Sequence, residues 1–298
     1  MSFDHLHPDT IARLDASDQK RIETLRNPVW IGYPRAKKVL GHLEKLFHTP
    51  KRPRMPNLLL VGPTNNGKTS ILKRFESLHP LLDNLESDAA IAPIISVSAP
   101  PIPDESGFYD AILHKFATPV RPKDHPRNKR FQVIQILKHV GTKVLIVDEI
   151  QDLLAGDSRK QMSLLNVIKH LGNELQIPIV AAGIQSALNA IQVDAQLANR
   201  FEPIALSRWE FNDEFRSLLA SFERIIPLKK PSLLPSEKLA KKIFFMSEGT
   251  IGEVATVLEK ASEIAIQSGE EKIASKILDD IEWILPSERR RKVELSIQ

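Results

Sequence analysis

The chain has 298 residues, 42% of them hydrophobic and 26% charged, which suits two compact domains or one large one with a sizeable core. Its formal charge of +4 is mildly basic and fits a nucleic-acid partner or simply a lysine-rich surface. Cysteine is absent, which excludes disulfides, thiolate catalysis and cysteine-ligated zinc. No apolar run approaches the roughly 20 residues of a membrane helix.

In chain order, residues 1–29 read as a polar, irregular extension with one short helix over 10–25. The start MSFDHLHPD has acids and histidines where a signal peptide would have a basic start and an apolar run. His5 and His7 lie close together without a third ligand nearby, which favours tail histidines over a metal site. The stretch from Trp30 to Pro34 interrupts; Trp30 and Tyr33 either pack on the core or line a nucleotide pocket. Val39, Leu40, Leu43, Leu46 and Phe47 recur at helical spacing and predict a helix over 35–47. The following loop, 48–56, carries Lys51, Arg52 and Arg54 among prolines.

Strands and helices then alternate. Continuously apolar strands are predicted over 58–61, 91–97, 144–147 and 177–182, and helices over 69–78, 108–116 and 163–171. That alternation indicates a parallel sheet covered on both faces. After Phe201 the pattern reads as all helix. Phe211, Phe215, Leu218, Leu219 and Phe222 form one apolar stripe, and Ile251, Val254, Val257, Leu258, Ala261 and Ile264 another. Pro231 and Pro235 break the chain between them, Ser236 and Gly249 bound a helix, Gly269 closes the second stripe, and a last helix is expected over 275–285. The segment ERRRK, 288–292, reads as a frayed basic tail.

Two stretches carry chemistry. Gly62-Pro63-Thr64-Asn65-Asn66-Gly67-Lys68-Thr69 fits G-x-x-x-x-G-K-[ST] at every position, with Ser70 next and the required strand before and helix after. The glycines let successive N–H groups aim at phosphates, and the helix start adds its positive dipole end. Lys68 would reach the β and γ phosphates, and the Thr69 hydroxyl would ligate Mg²⁺. The run VLIVDE then delivers Asp148 and Glu149 from the carboxyl end of a buried strand. Asp148 would complete the magnesium shell, and Glu149 would polarise an attacking water. A second acid placed for water favours hydrolysis over transfer to a small acceptor. A nucleotide site of this kind also implies the cytoplasm.

The order of phosphate loop, Asp-Glu strand, further strand and helical lid resembles the AAA+ ATPases over about residues 30–285. The resemblance implies an α/β AAA+ P-loop NTPase with a parallel five-stranded sheet flanked by helices and a small C-terminal helical lid. The divisions expected are an extension 1–29, a nucleotide-binding domain 30–208, a lid 209–286 and a basic tail 287–298. ATP and Mg²⁺ are the implied ligands, held by Gly62, Pro63, Thr64, Asn65, Asn66, Gly67, Lys68, Thr69, Ser70 and Asp148. The family's fourth strand ends in a polar sensor; Gln185 is the nearest polar side chain, in place of the usual Asn or Thr. The segment ANRFEP resembles the box that sends an arginine finger into the neighbouring subunit, a role that would fall to Arg200. The lid arginine of a G-x-x-R pattern is replaced by Gly252.

Four segments together, WIGYPRAKKVLGHLEKL, SVSAPPIPDESGFYDAIL, DEIQDLL and SEGTIGEV, are similar to the TniB group of transposition proteins, AAA+ regulators related to TnsC. This resemblance implies a DDE-type transposase as partner and a homo-oligomer, ring or filament, assembled with ATP on double-stranded DNA to help choose a target. Two basic segments are candidates for the DNA: Lys51 to Arg54, and the run with Arg121, Lys123, Arg127, Lys129 and Arg130. Each is otherwise a solvated loop. Without a helix-turn-helix or zinc finger, contact would read backbone or shape more than base sequence. Two alternatives stand beside this reading: a helicase-loading or replication-initiating ATPase, and a nucleotide-gated scaffold with little turnover.

Overall fold

The computed structural model describes residues 3–27, 29–82, 90–117, 121, 123–156, 158–289 and 292. The chain divides into two compact units, Pro34–Ser207 and a second made of Met1–Tyr33 with Arg208–Gln298.

The first unit is built on a five-stranded parallel sheet: β1 (Asn57–Val61), β2 (Ile94–Ser98), β3 (Val144–Asp148), β4 (Ile179–Gly183) and β5 (Phe201–Ala205), in spatial order β2-β3-β4-β1-β5. β1, β3 and β4 are buried at every position, which is why they read as unbroken apolar runs. Helices Lys68–Leu78, Glu105–Leu113, Pro126–His139, Ser158–Leu175 and Gln185–Val193 connect the strands.

Elements of this unit differ from the sequence reading. Residues 201–205, expected to begin an all-helical region, form the edge strand β5, with Pro203 in register with Leu59. An edge strand shows one side to solvent and tolerates a residue without an N–H, so FEPIA carries neither the apolar run nor the alternation of a strand. The basic run near 121–130 reads as loop in the sequence; its second half starts the helix Pro126–His139. Proline opens that helix, the His125 ring accepts the Arg127 N–H at 3.2 Å, and Val133, Ile134 and Leu137 pack into the core.

The second unit is helical, with Asp18–Leu25, Asp213–Ile225, Glu237–Ser247, Ile251–Gln267 and Ser275–Asp280 as its main elements. The expected single helix over 10–25 is two, Pro8–Ile11 and Asp18–Leu25; Ser17 starts the second by accepting the Lys20 N–H. Residues 3–27 are no loose extension. Arg21 is wholly buried and bonds Glu271 near the far end of the chain, and His5 contacts the Leu228 carbonyl at 3.1 Å. Tyr33 is core: it stands edge-on to the buried Trp209, ring centres 5.1 Å apart. The last helix stops at Asp280, short of the expected 285. Arg289, expected in a frayed tail, is folded back onto Glu253 at 2.9 Å, over the Trp283 ring. Arg290, Arg291 and residues 293–298 of that tail lie outside the described residues.

Among the described residues, no helix is long and apolar enough to cross a membrane. None of them form a cluster of three or more His, Asp or Glu able to hold a metal.

Candidate nucleotide site

The phosphate loop leaves the carboxyl end of β1 and turns into the helix Lys68–Leu78. Gly67 has a φ of 86°, a left-handed conformation that its missing Cβ permits. Gly62 is required for a different reason: a Cβ there would stand 2.6 Å from the Leu206 carbonyl oxygen. The chain just past β5 therefore braces the loop from behind. Asn66 adds to that brace, donating from Nδ2 to the carbonyls of Leu206 at 2.7 Å and Ser207 at 3.0 Å. The sequence places Asn66 only in the phosphate cradle; this second contact links positions 140 apart and has no local sequence signal.

Lys68 is 4% exposed, and its ammonium donates to the carbonyls of Gly62 at 2.9 Å and Pro63 at 2.8 Å. Desolvation pushes its pKa below the usual lysine value, against the opposing pull of Glu149 and Asp148. A cation held this way, with neutral oxygens around it and carboxylates at a distance, favours the arrival of a polyanion.

Thr69 and Asp148 meet directly: the Thr69 hydroxyl donates to Asp148 Oδ2 at 2.6 Å. The other oxygen of Asp148 accepts the Glu149 N–H at 2.9 Å. One carboxylate and one hydroxyl side by side at the mouth of a phosphate loop form a donor set for a hard cation that keeps several waters and phosphate oxygens. These residues fit Mg²⁺.

Glu149 sits at φ 52° and ψ 41°, a left-handed conformation costly for a residue with a side chain. Its Oε2 accepts from Gln151 Nε2 at 2.5 Å, and Gln151 Oε1 accepts the backbone N–H of Ile184 just past β4 at 3.3 Å. Gln185, the expected sensor, is not brought to this cluster; it is exposed and donates to Asn189 at 3.3 Å on its own helix. The polar side chain that links the Asp-Glu strand to the end of β4 is Gln151. Its sequence signal is its place two residues beyond Glu149.

Arg200 stands at the other edge of the sheet. Its carbonyl accepts the Asn57 N–H at the start of β1, and its guanidinium donates to Asn173 at 2.8 Å. The phosphate loop leaves the opposite end of β1, so Arg200 lies at the far end of the sheet from its own chain's loop. Of the basic run, Arg121, Lys123 and Arg127 are exposed and Arg130 is half-buried. Lys129 is a correction: it is 1% exposed and donates to Asp110 at 2.7 Å, an inward position from which it offers no charge to DNA.

A family model described as "Bacterial TniB protein" matches residues 21–211, which include the phosphate loop, the acid pair and β5. The chain belongs to the TniB family. Among solved structures, this TniB-family chain is similar to the Aeropyrum pernix ORC2 protein in its ADPNP–ADP complexes, with a TM-score of 0.61 at 12% identity over 92% of this chain and 74% of that one. The Aeropyrum pernix ORC1 protein in complex with DNA gives 0.61 at 18% identity over 92% and 69%. A single-substitution variant of Thermotoga maritima RuvB gives 0.51 at 20% identity over 83% and 67%. The fold is that of the AAA+ P-loop ATPases. No curated protein matches the chain.

Proposed function

We propose that this TniB-family chain binds ATP with Mg²⁺, hydrolyses it, and uses the bound nucleotide to assemble on double-stranded DNA where a DDE transposase reads the assembly. The observation that carries the hydrolytic part is the meeting of Lys68, Thr69, Asp148 and Glu149 at the carboxyl ends of β1 and β3. On this reading Lys68 exchanges its two carbonyl partners for β- and γ-phosphate oxygens. Thr69 and Asp148 hold Mg²⁺, which when bound neutralises charge developing between the phosphates. Glu149 orients a water and takes its proton as the water oxygen bonds the γ-phosphorus. The bond to the bridging oxygen breaks with its electron pair left on ADP. Arg200, at the far end of the sheet from its own loop, completes a neighbouring subunit's site. Residues 209–286 act as the lid, and the setting is the cytoplasm.

DNA contact is assigned to Arg121, Lys123, Arg127 and Arg130. In support, the helix Pro126–His139 contains no acidic residue, and its solvent face carries Arg127, Lys138 and the exposed Phe131. Such a face tracks phosphates without needing base sequence. The family match supports a transposase partner, and the position of Arg200, at the opposite end of the sheet from its own phosphate loop, supports a ring or filament.

Glu149→Gln tests the chemistry: ATP affinity is expected to persist while hydrolysis slows by about 10²–10⁴-fold, the usual worth of a general base. A normal rate overturns the role. Imaging with double-stranded DNA and a non-hydrolysable ATP analogue tests the assembly; rings or filaments requiring both ligands are expected, and monomers throughout overturn it. The alternative of a helicase-loading or replication-initiating ATPase is favoured only by the fold it shares with the origin-recognition proteins. Loading assays with a transposase against a replicative helicase separate the two.

A further inference from the structure

We infer that Gln151 is the positioning residue for the hydrolytic carboxylate, a clip that ties Glu149 to the end of β4. This deepens the proposed function and rests on its assignment of Glu149 as the group that activates water. The geometry is asymmetric in a useful way. Gln151 donates through Nε2 to Glu149 Oε2 at 2.5 Å and accepts through Oε1 from the Ile184 N–H at 3.3 Å. The amide performs both tasks at once, where a carboxylate of the same length has no donor and an ammonium no acceptor. The site is also shaped for it: a Cβ at Gly183 would stand 2.7 Å from Gln151 Oε1 and 2.9 Å from the Ala187 Cβ. Glycine at the last position of β4 thus leaves the room that the Gln151 amide fills.

The need for a clip follows from the backbone. Glu149 lies in the left-handed region at the start of the four-residue helix Ile150–Leu153, where so short a helix fixes orientation weakly. An unconstrained glutamate would sample several rotamers. Bonded to Gln151, it keeps one oxygen fixed and the other available to a water. Because the far end of the clip is a backbone N–H of β4, movement at that strand end is passed to the carboxylate.

Two substitutions separate positioning from bracing. Gln151→Glu keeps the acceptor for Ile184 and loses the donor to Glu149; Gln151→Met keeps the length and loses both. ATP affinity and single-turnover hydrolysis are measured on the full chain with double-stranded DNA, alongside Glu149→Gln and the double variant E149Q/Q151E. The expected result is that both single substitutions at 151 slow hydrolysis by about 10-fold or more, as misplacement of a reacting group does, with the ATP dissociation constant within about three-fold of wild type. In the E149Q background, Gln151→Glu should cost nothing further, since the two residues act as one unit. The inference is overturned if Gln151→Glu hydrolyses normally while Gln151→Met is slow, which marks a mere brace for Ile184. It is also overturned if the effects of the two sites add in full. A normal rate for Glu149→Gln alone would instead remove the underlying assignment of Glu149, a distinct outcome.

Discussion

The two units each bury a cation, and the two sites are built oppositely. In the helical unit, Arg21 is wholly buried and all five of its N–H donors are used: on both oxygens of Glu271, on Asp18, and twice on the Pro227 carbonyl. Its hydrogen bond to Glu271 leads the causes that raise its pKa. In the sheet unit, Lys68 is nearly as buried, yet its bonds go to two neutral carbonyls and burial lowers its pKa. A buried charge is therefore no sign of function by itself. What separates the two is whether the opposite charge is already supplied by the chain.

The comparison breaks most visibly at Lys68. Charge-assisted hydrogen bonds are worth about 1.5–3 kcal/mol each, so losing two phosphate contacts should cost about 3–6 kcal/mol, or about 10²–10⁴-fold in ATP affinity. Lys68→Ala should show this by calorimetric titration, with the unfolding of the ligand-free protein little changed. If the variant is strongly destabilised and ATP still binds, the lysine is structural and the contrast with Arg21 fails.

Arg21→Ala should do the reverse. Removing one partner of a buried pair costs about 3–5 kcal/mol, and Glu271, left with the Lys229 N–H at 3.2 Å and the half-exposed Lys229 ammonium at 3.6 Å, places the loss toward the lower figure, while ATP affinity of the folded protein should hold. All three tryptophans, Trp30, Trp209 and Trp283, lie in the helical unit, so tryptophan fluorescence during denaturation reports that unit specifically. A loss below about 1 kcal/mol, the worth of an exposed pair, would show that Arg21 is not holding residues 3–27 in the fold.

The pair also sets a pH dependence. Burial opposes the charge of Glu271, yet the bond and charge of Arg21 with the Lys229 N–H outweigh it, leaving its pKa below the ordinary 4.5. A depressed carboxylate pKa adds stability that is present above the unfolded value and is lost as pH falls through the folded one. The tryptophan-reported stability should therefore fall on acidification from about pH 6 to about pH 3. In Glu271→Gln it should start lower and fall less. An equal acid slope in both proteins removes Glu271 from the account.

Sequence legibility follows the same division between local and distant partners. The phosphate loop and Asp148–Glu149 are readable because their chemistry lies in runs of eight and two residues, and β1, β3 and β4 because a strand buried on both faces is apolar throughout. β5 is hidden because an edge strand needs neither feature. Arg21 is hidden because its partner lies 250 positions away, so its run reads as one more polar helix. Gln185 stands out in the sequence over Gln151 because it lies closer to β4 along the chain, and closeness along the chain is not closeness in space. Gln151 reaches the same strand end from the β3 side.

The smallest effect extends the contrast to the DNA face, where Lys129 and Arg127 are two residues apart on one helix. Lys129 is spent on Asp110, as Arg21 is on Glu271; Arg127 is exposed, with its charge available to a phosphate as the Lys68 charge is to a nucleotide. Each phosphate neutralised on duplex DNA contributes about 0.9 to the slope of log K against log salt. Arg127→Ala should lower that slope by about 0.9 and weaken binding similarly on unrelated sequences. Lys129→Met should leave the slope as in wild type and appear instead as a loss of stability in the sheet unit, since it strands Asp110. A reduced slope for Lys129→Met in a fully folded protein would mean that the Lys129–Asp110 bond opens when DNA arrives, and that burial alone does not decide which cations are committed.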